Sequence, residues 1–342
     1  MTPTPRLSVI VPAHHAARLL PDTLAALGAS TLRRSDWELI VVDDASTDAT
    51  AEVAAPLADL VLRLPAPARG PGGARNAGAA RARGAWLVFI DADVRVHADA
   101  LTRFAEADNE AGLVAVFGSY DNRPAAPGLV SEYRNLLHRY VHLQGAGEAE
   151  TFWAGCGAVR RAAFEAVGGF DTERFPRPQI EDIELGYRLR DRGGRIRLDP
   201  AIQGTHLKRW NFWQMLRTDL RDRGVPWMRL LLERRGRSEA SLNATPVERA
   251  KVALAGLGTA ALLLALVLGN AAAALGAMAA FGLLTILNLP TLAWFLRQRG
   301  VAFALAVVPL QAVYYVGNAV AAAVGIALHL GTRPASLREA PR

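Results

Sequence analysis

The feature of this sequence that most constrains its structure is a run of 45 residues, Val252 to Leu296, without Asp, Glu, Lys or Arg. One helix of that length would extend roughly 67 Å at about 1.5 Å per residue, whereas one bilayer crossing needs about 20 residues. We therefore predict two membrane spans joined by a tight turn, at about 252–269 and 271–296. A buried helical core is the alternative interpretation, although core helices seldom run so long without a charge.

A second charge-free stretch, residues 300–332, is long enough for another crossing. We predict a third span at about 301–329, so that residues 251–332 form a transmembrane region and residues 333–342 form a tail.

The positive charges set the predicted orientation, because basic residues concentrate on the cytoplasmic side of membrane spans. Basic residues precede the first span and separate the second from the third: Arg234, Arg235, Arg237, Arg249, Lys251, Arg297 and Arg299. Both groups are cytoplasmic if residues 1–250 are cytoplasmic. The tail arginines, Arg333, Arg338 and Arg342, would then lie outside, against the rule. A re-entrant third segment would remove this conflict.

The net charge of +7 raises the question of a nucleic-acid partner, which depends on where the charge lies. Residues 1–204 carry 23 basic and 26 acidic side chains, residues 205–250 carry 10 and 5, and residues 251–342 carry 6 and 1. The excess lies beside and within the apolar region, where it favours anionic lipid head groups over nucleic acid. The lone Cys156 excludes an intramolecular disulfide framework and a multi-cysteine zinc site.

Before the apolar region, short runs rich in Val, Ile and Leu alternate with helical patterns. The clearest runs are Leu7–Val11, Leu39–Val42 and Trp86–Ile90. Such alternation predicts βαβ units and a parallel sheet, whose ligand crevice lies at the carboxyl ends of the strands. Those ends carry His14, then Asp43 and Asp44, then Asp91 and Asp93. Carboxylates therefore gather where a ligand is expected.

Asp91 and Asp93 follow a predicted core strand and are separated by one small residue. Mg²⁺ and Mn²⁺ prefer oxygen ligands, and Mg²⁺ commonly takes one or two carboxylates plus substrate phosphate. This pair therefore predicts a divalent metal site. The glycine-rich stretch 70–78 fits neither the dinucleotide-binding nor the P-loop spacing, so we predict a flexible turn that opens a helix and offers Arg75 to a phosphate or a base.

Four segments occur in the order and spacing of family 2 glycosyltransferases: Ser8–Ala13, Val41–Asp48, Ala74–Gly78 and Phe89–Asp93. The chain resembles that family over roughly residues 5–210. The resemblance implies an α/β GT-A fold for nucleotide-diphospho-sugar transfer, Rossmann-like with a mostly parallel sheet, in a catalytic domain of residues 1–210.

The resemblance also implies an inverting transferase that uses a nucleotide-diphosphate sugar, most readily a UDP-sugar, and a divalent metal, Mn²⁺ or Mg²⁺. The implied nucleotide-sugar contacts are Pro12, Asp43, Asp44, Arg75 and Asp91, and the implied metal ligands are Asp91, Asp93 and His206. An ordinary hydrogen-bonded histidine remains the alternative for His206.

The second half of this domain resembles the family's acceptor side. Trp153 and Gly155 lie in one such segment, and Glu181-Asp182 is similar to the family's Glu-Asp motif at the start of a helix. By this resemblance Asp182 is the base that deprotonates the acceptor hydroxyl. Alternatively, Asp182 and its acidic neighbours only complement the helix dipole. Arg209 and Trp210 loosely resemble the end of the Gln-x-x-Arg-Trp motif of processive synthases, but its glutamine is absent.

Residues 211–250 are basic and contain tryptophans, which predicts an amphipathic segment at the membrane interface, or else a helix packed on the domain core. Together these features predict a multi-pass protein of the inner (cytoplasmic) membrane, with its catalytic domain in the cytoplasm. It would transfer a sugar to a lipid, a lipid-linked acceptor or a glycan. A catalytically inactive membrane assembly protein, or a nucleotide-sugar-binding protein of the same fold, is the alternative.

Overall fold

The computed structural model describes residues 4–234 and 242–331. The predicted tail, residues 333–342, lies outside the described residues, as do Arg235 and Arg237. The chain divides into two compact units, residues 1–210 and residues 211–342. The first contains the sheet, and the second contains the long apolar helices.

The first unit is built around one nine-stranded sheet. Its strands are β1 (Leu7–Ala13), β2 (Trp37–Asp44), β3 (Leu60–Leu64), β4 (Trp86–Ile90), β5 (Val94–Val96), β6 (Leu113–Tyr120), β7 (Gly147–Glu148), β8 (Cys156–Arg160) and β9 (Arg195–His206). Its helices are α1 (Leu20–Gly28), α2 (Thr50–Ala54), α3 (Gly70–Ala79), α4 (Ala100–Glu106), α5 (Leu129–Gln144), α6 (Arg161–Ala166) and α7 (Glu181–Asp191). The three predicted apolar runs all form strands.

The strand order is β3-β2-β1-β4-β8-β6-β9-β5, and β7 pairs with β9. Strands β1 to β4 are mutually parallel, whereas β8 runs antiparallel to both of its neighbours, β4 and β6. The predicted α/β fold class is confirmed. The sheet is mixed rather than mostly parallel, because β8 enters between β4 and β6 against their direction, and β5 and β7 are antiparallel to β9.

The strand order reverses at β1, since the chain adds β2 on one side of it and later adds β4 on the other. Pairing of β1 with β4 ends at Ile10, whereas pairing with β2 continues to Ala13. Pro12, which has no N–H to donate, therefore lies in the part of β1 that no longer pairs with β4. Ligands of open α/β sheets bind in the crevice at such a reversal.

Helices pack on both faces of the sheet, as the alternation of side chains along β1 requires. Val9 and Val11 belong to a core that contains α1 and α4 residues such as Leu24 and Phe104. Ile10 faces the other side, where α3 packs very closely. A methyl group at Gly78 of α3 would lie 2.5 Å from the Ile10 side chain, so only glycine permits this approach.

The second unit consists of helices. They are α8 (Phe212–Arg217), a π-helical turn (Thr218–Gly224), α9 (Val225–Glu233), α10 (Pro246–Leu268), α11 (Ala271–Leu287), α12 (Leu289–Ala306) and α13 (Val308–Gly331). In the described part of the chain, α10 and α13 are each long and apolar enough to cross a membrane, and α11 with α12 would count as a third crossing if this pair, bent by 55°, is one span.

The predicted second span is not one continuous helix. A single helix over 271–296 was expected, but the helix breaks at Asn288, and α12 is itself kinked at Gly300, whose φ of 80° is not helical. The break follows from Pro290, which cannot donate the backbone hydrogen bond that a continuous helix needs. Helix α13 begins at Val308, again with a proline in its first turn, and the kink at Gly300 directly precedes the predicted start of the third span.

Candidate active site

The carboxylates predicted at the strand ends do gather at one edge of the sheet. Asp91 and Asp93 follow β4, and the pairing of Val94 with His206 places the last residue of β9 beside them. Asp93 Oδ2 and His206 Nε2 lie 3.7 Å apart. Burial would raise the pKa of the Asp93 carboxyl, but the interaction with His206, aided by the charge of Lys208, outweighs burial and lowers it.

The described residues contain no group of three or more His, Cys, Asp or Glu side chains arranged to hold a metal ion. Two of the three predicted ligands, Asp93 and His206, do face each other. They offer a carboxylate oxygen and an imidazole nitrogen, which are suitable donors for Mn²⁺. The third, Asp91, binds Arg75 instead, with Arg75 Nη2 2.6 Å from Asp91 Oδ1. The residues therefore fit a cation that takes two protein ligands and completes its shell from substrate phosphate.

Arg75 is buried and joins the two halves of the domain. Its second terminal nitrogen donates to Glu181 Oε1 at 3.1 Å, across 106 residues of sequence. Burial alone would lower the pKa of the Arg75 guanidinium, but the charges of Asp91 and Glu181 outweigh burial and raise it. Sequence analysis predicted a helix opened by a glycine turn, whereas α3 begins at Gly70 itself, so Arg75 lies in the middle of the helix.

Asp43 and Asp44 end β2 and are both buried. The Asp44 carboxylate accepts hydrogen bonds from the backbone N–H groups of Arg69 and Gly70, each at 2.8 Å. It thereby satisfies donors at the start of α3 that the helix itself leaves unpaired. Asp43 accepts from the Ser46 N–H at 3.1 Å and fixes the turn that follows β2. Both residues thus shape the crevice beside Pro12.

The three acidic residues at the start of α7 have different surroundings. Glu181 is buried against Arg75, and Glu184 binds Arg188 of the same helix at 2.7 Å. Asp182 is partly exposed and accepts hydrogen bonds from the backbone N–H groups of Ala154 at 3.1 Å and Ile183 at 2.8 Å. Glu181 and Glu184 thus each pair with an arginine, and backbone N–H groups hold Asp182 next to the Trp153–Gly155 segment.

Trp153 and Gly155 form one packed unit. A methyl group at Gly155 would lie 2.6 Å from the Trp153 indole, so glycine is required for this contact. The Gly155 carbonyl accepts from the Asp91 N–H at 3.1 Å. The predicted acceptor segment is therefore linked directly to the predicted donor and metal segment.

An aromatic cluster in this unit was missed by the sequence analysis. Tyr120, at the end of β6, stacks on the His206 ring with centroids 4.5 Å apart, and it also contacts Trp153. His138 and His142, one turn apart on α5, both contact Trp153. Burial lowers the pKa of His142 to about 4. The apolar run that ends at Tyr120 was the signal that could have indicated a further strand with an aromatic residue at its edge.

Trp210, the last residue of the first unit, is held by two cations. Lys208 Nζ lies 4.5 Å and the Arg134 guanidinium carbon 4.9 Å from the Trp210 ring centroid. The Trp210 backbone N–H donates to Ser131 Oγ at 2.9 Å. Arg209, which lies between Lys208 and Trp210 in sequence, is exposed.

Comparison with known proteins agrees with this geometry. The family model for Glycosyl transferase family 2 matches residues 8–168. The Glycosyltransferase AglE of Haloferax volcanii is 32% identical over 231 residues, which cover 65% of this chain and 73% of that protein. The chain is a family 2 glycosyltransferase. The predicted family is thereby confirmed.

Two further similarities add to the family assignment. The Succinoglycan biosynthesis protein ExoO of Rhizobium meliloti is 40% identical to this glycosyltransferase over 123 residues, but the match covers only 34% of either chain. The solved mannosyltransferase PcManGT of Pyrobaculum calidifontis, in complex with GDP-Man and Mn²⁺, superposes with a TM-score of 0.57 at 22% identity. That match covers 94% of this chain and 88% of the other, and it confirms the GT-A fold.

Proposed function

We propose that this glycosyltransferase moves a sugar from a nucleotide-diphosphate sugar to an acceptor hydroxyl with inversion, and that Asp182 is the base. The observation that carries this proposal is the difference among the acidic residues of α7. Arginines bind Glu181 and Glu184, and backbone N–H groups orient the partly exposed Asp182 carboxylate next to Trp153 and Gly155. A base must lie within hydrogen-bond reach of the hydroxyl that it deprotonates, and a fixed carboxylate at the crevice meets that need.

On the donor side, the crevice beside Pro12 and Asp43 would take the nucleotide, with UDP-sugars as the first candidates to test. Asp44 would act through the start of α3, whose backbone it caps, rather than by direct contact. Arg75 would likewise act by fixing Asp91 and Glu181.

Asp93 and His206 would hold a divalent metal, Mn²⁺ or Mg²⁺, together with the diphosphate. A metal bound there supplies positive charge that stabilises the departing diphosphate. Lys208, whose charge acts on Asp93, contributes to the same positive environment.

The acceptor would be a lipid, a lipid-linked sugar or a glycan at the cytoplasmic face of the inner membrane. The apolar helices of the second unit support membrane anchoring, since α10 has the length and composition of a span. Trp153 and Gly155 lie beside Asp182 and would form the acceptor side of the site. Arg209 and Trp210 would extend it.

The test is sugar transfer by the full-length protein, screened over nucleotide sugars with purified membranes as acceptor. Asp182→Asn should lower turnover by about 10² to 10⁴ while nucleotide affinity, measured by calorimetry, stays near the wild-type value. Asp191→Asn, the same change at the exposed end of α7, is the matched control and should leave turnover unchanged.

Near wild-type transfer by Asp182→Asn would show that Asp182 is not the base. Loss of nucleotide affinity would assign it a structural role at the start of α7 instead. A wild-type protein that binds a nucleotide sugar but transfers none would favour the catalytically inactive alternative.

A further inference from the structure

The helix that precedes the apolar region packs along the last helix of the chain. We call the continuous helical segment 212–233, formed by α8, the π-helical turn and α9, the arginine helix. It widens to a π turn ahead of Pro226, whose missing N–H interrupts the regular hydrogen-bond ladder. It carries arginines at 217, 221, 223 and 229.

Three small residues four positions apart on α13 form the contact face: Gly317, Ala321 and Gly325. A methyl group at Gly224 of the arginine helix would lie 2.6 Å from Ala321 Cβ. A methyl group at Gly325 would lie 2.8 Å from Met228 Cβ. The backbones of the two helices are therefore in close contact over this stretch.

The charges of the arginine helix conflict with a membrane crossing by α13. Ala321 lies thirteen residues after Val308, or about 20 Å along α13 at about 1.5 Å per residue, well within a hydrocarbon core about 30 Å thick. Arg221 and Arg223 lie three residues and one residue before Gly224, which touches Ala321, and both side chains are exposed. If α13 crossed the bilayer, these two arginines would face lipid at that depth, which is strongly unfavourable.

The hairpin of α10 and α11 has no such conflict. Its distal half exposes a continuous set of apolar side chains: Leu262, Leu263, Leu264, Leu266, Val267, Leu268, Leu275 and Met278. The turn between the helices is capped by Asn270, whose side chain accepts from the Ala273 N–H. These are the properties of a lipid-facing pair.

We propose that only the α10–α11 hairpin crosses the membrane, and that α13 and the arginine helix lie together along the cytoplasmic leaflet. The exposed arginines 217, 221 and 223 then face anionic lipid head groups, and Trp213, which is 73% exposed, anchors the pair at the interface. The apolar side chains that α13 leaves exposed, such as Val320 and Val324, face the acyl chains.

Two crossings bring the end of the chain back to the side of residues 1–210. The sequence supports this arrangement independently, because Arg333, Arg338 and Arg342 then obey the positive-inside rule, which a third crossing would violate. This inference rests on the membrane anchoring in the proposed function and adds its topology.

The first test fuses reporters to the C-terminus of the full-length protein in a bacterial host. A green fluorescent protein should be fluorescent and an alkaline phosphatase inactive, since both report a cytoplasmic end. The reverse pattern in a protein that resists carbonate extraction would overturn the topology alone. Release of the protein by carbonate would overturn the anchoring as well.

The second test labels single cysteines in inside-out vesicles with a membrane-impermeant maleimide. The native Cys156 is buried, and burial raises the pKa of its thiol, so its background labelling is low. Arg223→Cys should react at least tenfold faster than Leu264→Cys, the matched control on the hairpin. Equal protection of both until detergent is added would place the arginine helix inside the membrane and overturn the proposal.

Discussion

The two halves of the first unit, which the proposed function assigns to the donor and to the acceptor, position their side chains by different means. In the donor half, buried charges do this: Asp44 caps α3, and Arg75 connects Asp91 to Glu181. In the acceptor half, rings and backbone groups do it: Trp153 covers Gly155, Tyr120 stacks on His206, and the Ala154 N–H holds Asp182. Losing a buried charge leaves its partner unpaired, whereas losing a ring leaves a gap. The two halves should therefore respond differently to substitution.

The largest effect is expected for Arg75→Met. This change leaves Glu181, whose side chain is 6% exposed, as an unpaired buried carboxylate, and breaking a buried pair in this way costs about 3–5 kcal/mol. The free energy of unfolding, measured with urea in detergent, should fall by that amount. Arg63→Met, which breaks an exposed pair with Glu52, is the control and should leave the unfolding midpoint unchanged.

The double variant Arg75→Met with Glu181→Gln distinguishes a charge effect from a packing effect. A glutamine keeps the hydrogen bond from the Gln179 N–H without a buried charge. The double variant should recover a large part of the lost stability. If it is no more stable than Arg75→Met, the lost stability comes from packing and not from an unpaired buried charge.

The contacts of Arg75 also show how much of the site the sequence could predict. The strands β1, β2 and β4 were predictable because each is a short apolar run that ends in polar residues, and the positions of Asp91 and Asp93 follow from β4. The pairing of Arg75 with Glu181 was not predictable, because 106 residues separate them in sequence. Strand β8, which lies between them in sequence, enters the sheet antiparallel. Local patterns specify elements, but long-range register decides which side chains meet.

The helical unit shows the same limit. Its apolar composition predicted membrane helices, but hydropathy does not register Pro290, which breaks the helix at Asn288, or the contacts that bury the Asn288 side chain. The Asn288 side chain is buried and accepts from both Gln311 and Tyr315 of α13, at 3.2 and 3.0 Å. A charge count identified where spans could lie but not where the helices end.

The next largest effect is a pH dependence in the acceptor half. Burial lowers the pKa of His142 to about 4, below the ordinary value of 6.5, so the unfolded chain binds a proton before the folded chain does. Stability from this residue is fully present above pH 6.5 and is lost as the pH falls toward 4. Between pH 7.5 and 5, His142 should account for about 2 kcal/mol of the loss in the free energy of unfolding.

Urea unfolding of wild type and His142→Gln at both pH values measures this contribution. The variant should lose about 2 kcal/mol less than wild type on acidification. The groups that face His142 are the Gly118 carbonyl and the rings of His138, Phe117 and Trp153. An identical loss in His142→Gln would mean that the ring cluster is not the acid-sensitive part of this half.

The smallest effect on stability, and the one that most sharpens the comparison, is expected for Tyr120→Leu. Leucine keeps an apolar side chain at the end of β6 but loses the stacking on His206, and a ring pair of this kind contributes about 0.5–1.5 kcal/mol. The unfolding free energy should fall by that amount, far less than for Arg75→Met.

Because His206 faces Asp93, the same variant should weaken nucleotide binding in Mn²⁺ more than in chelator. Tyr120→Phe retains the ring and should retain that Mn²⁺ dependence. Tyr120→Leu could instead lower the stability and leave the nucleotide affinity at the wild-type value both in Mn²⁺ and in chelator. The ring would then be a packing residue. The acceptor half would then not position the metal side of the site through Tyr120.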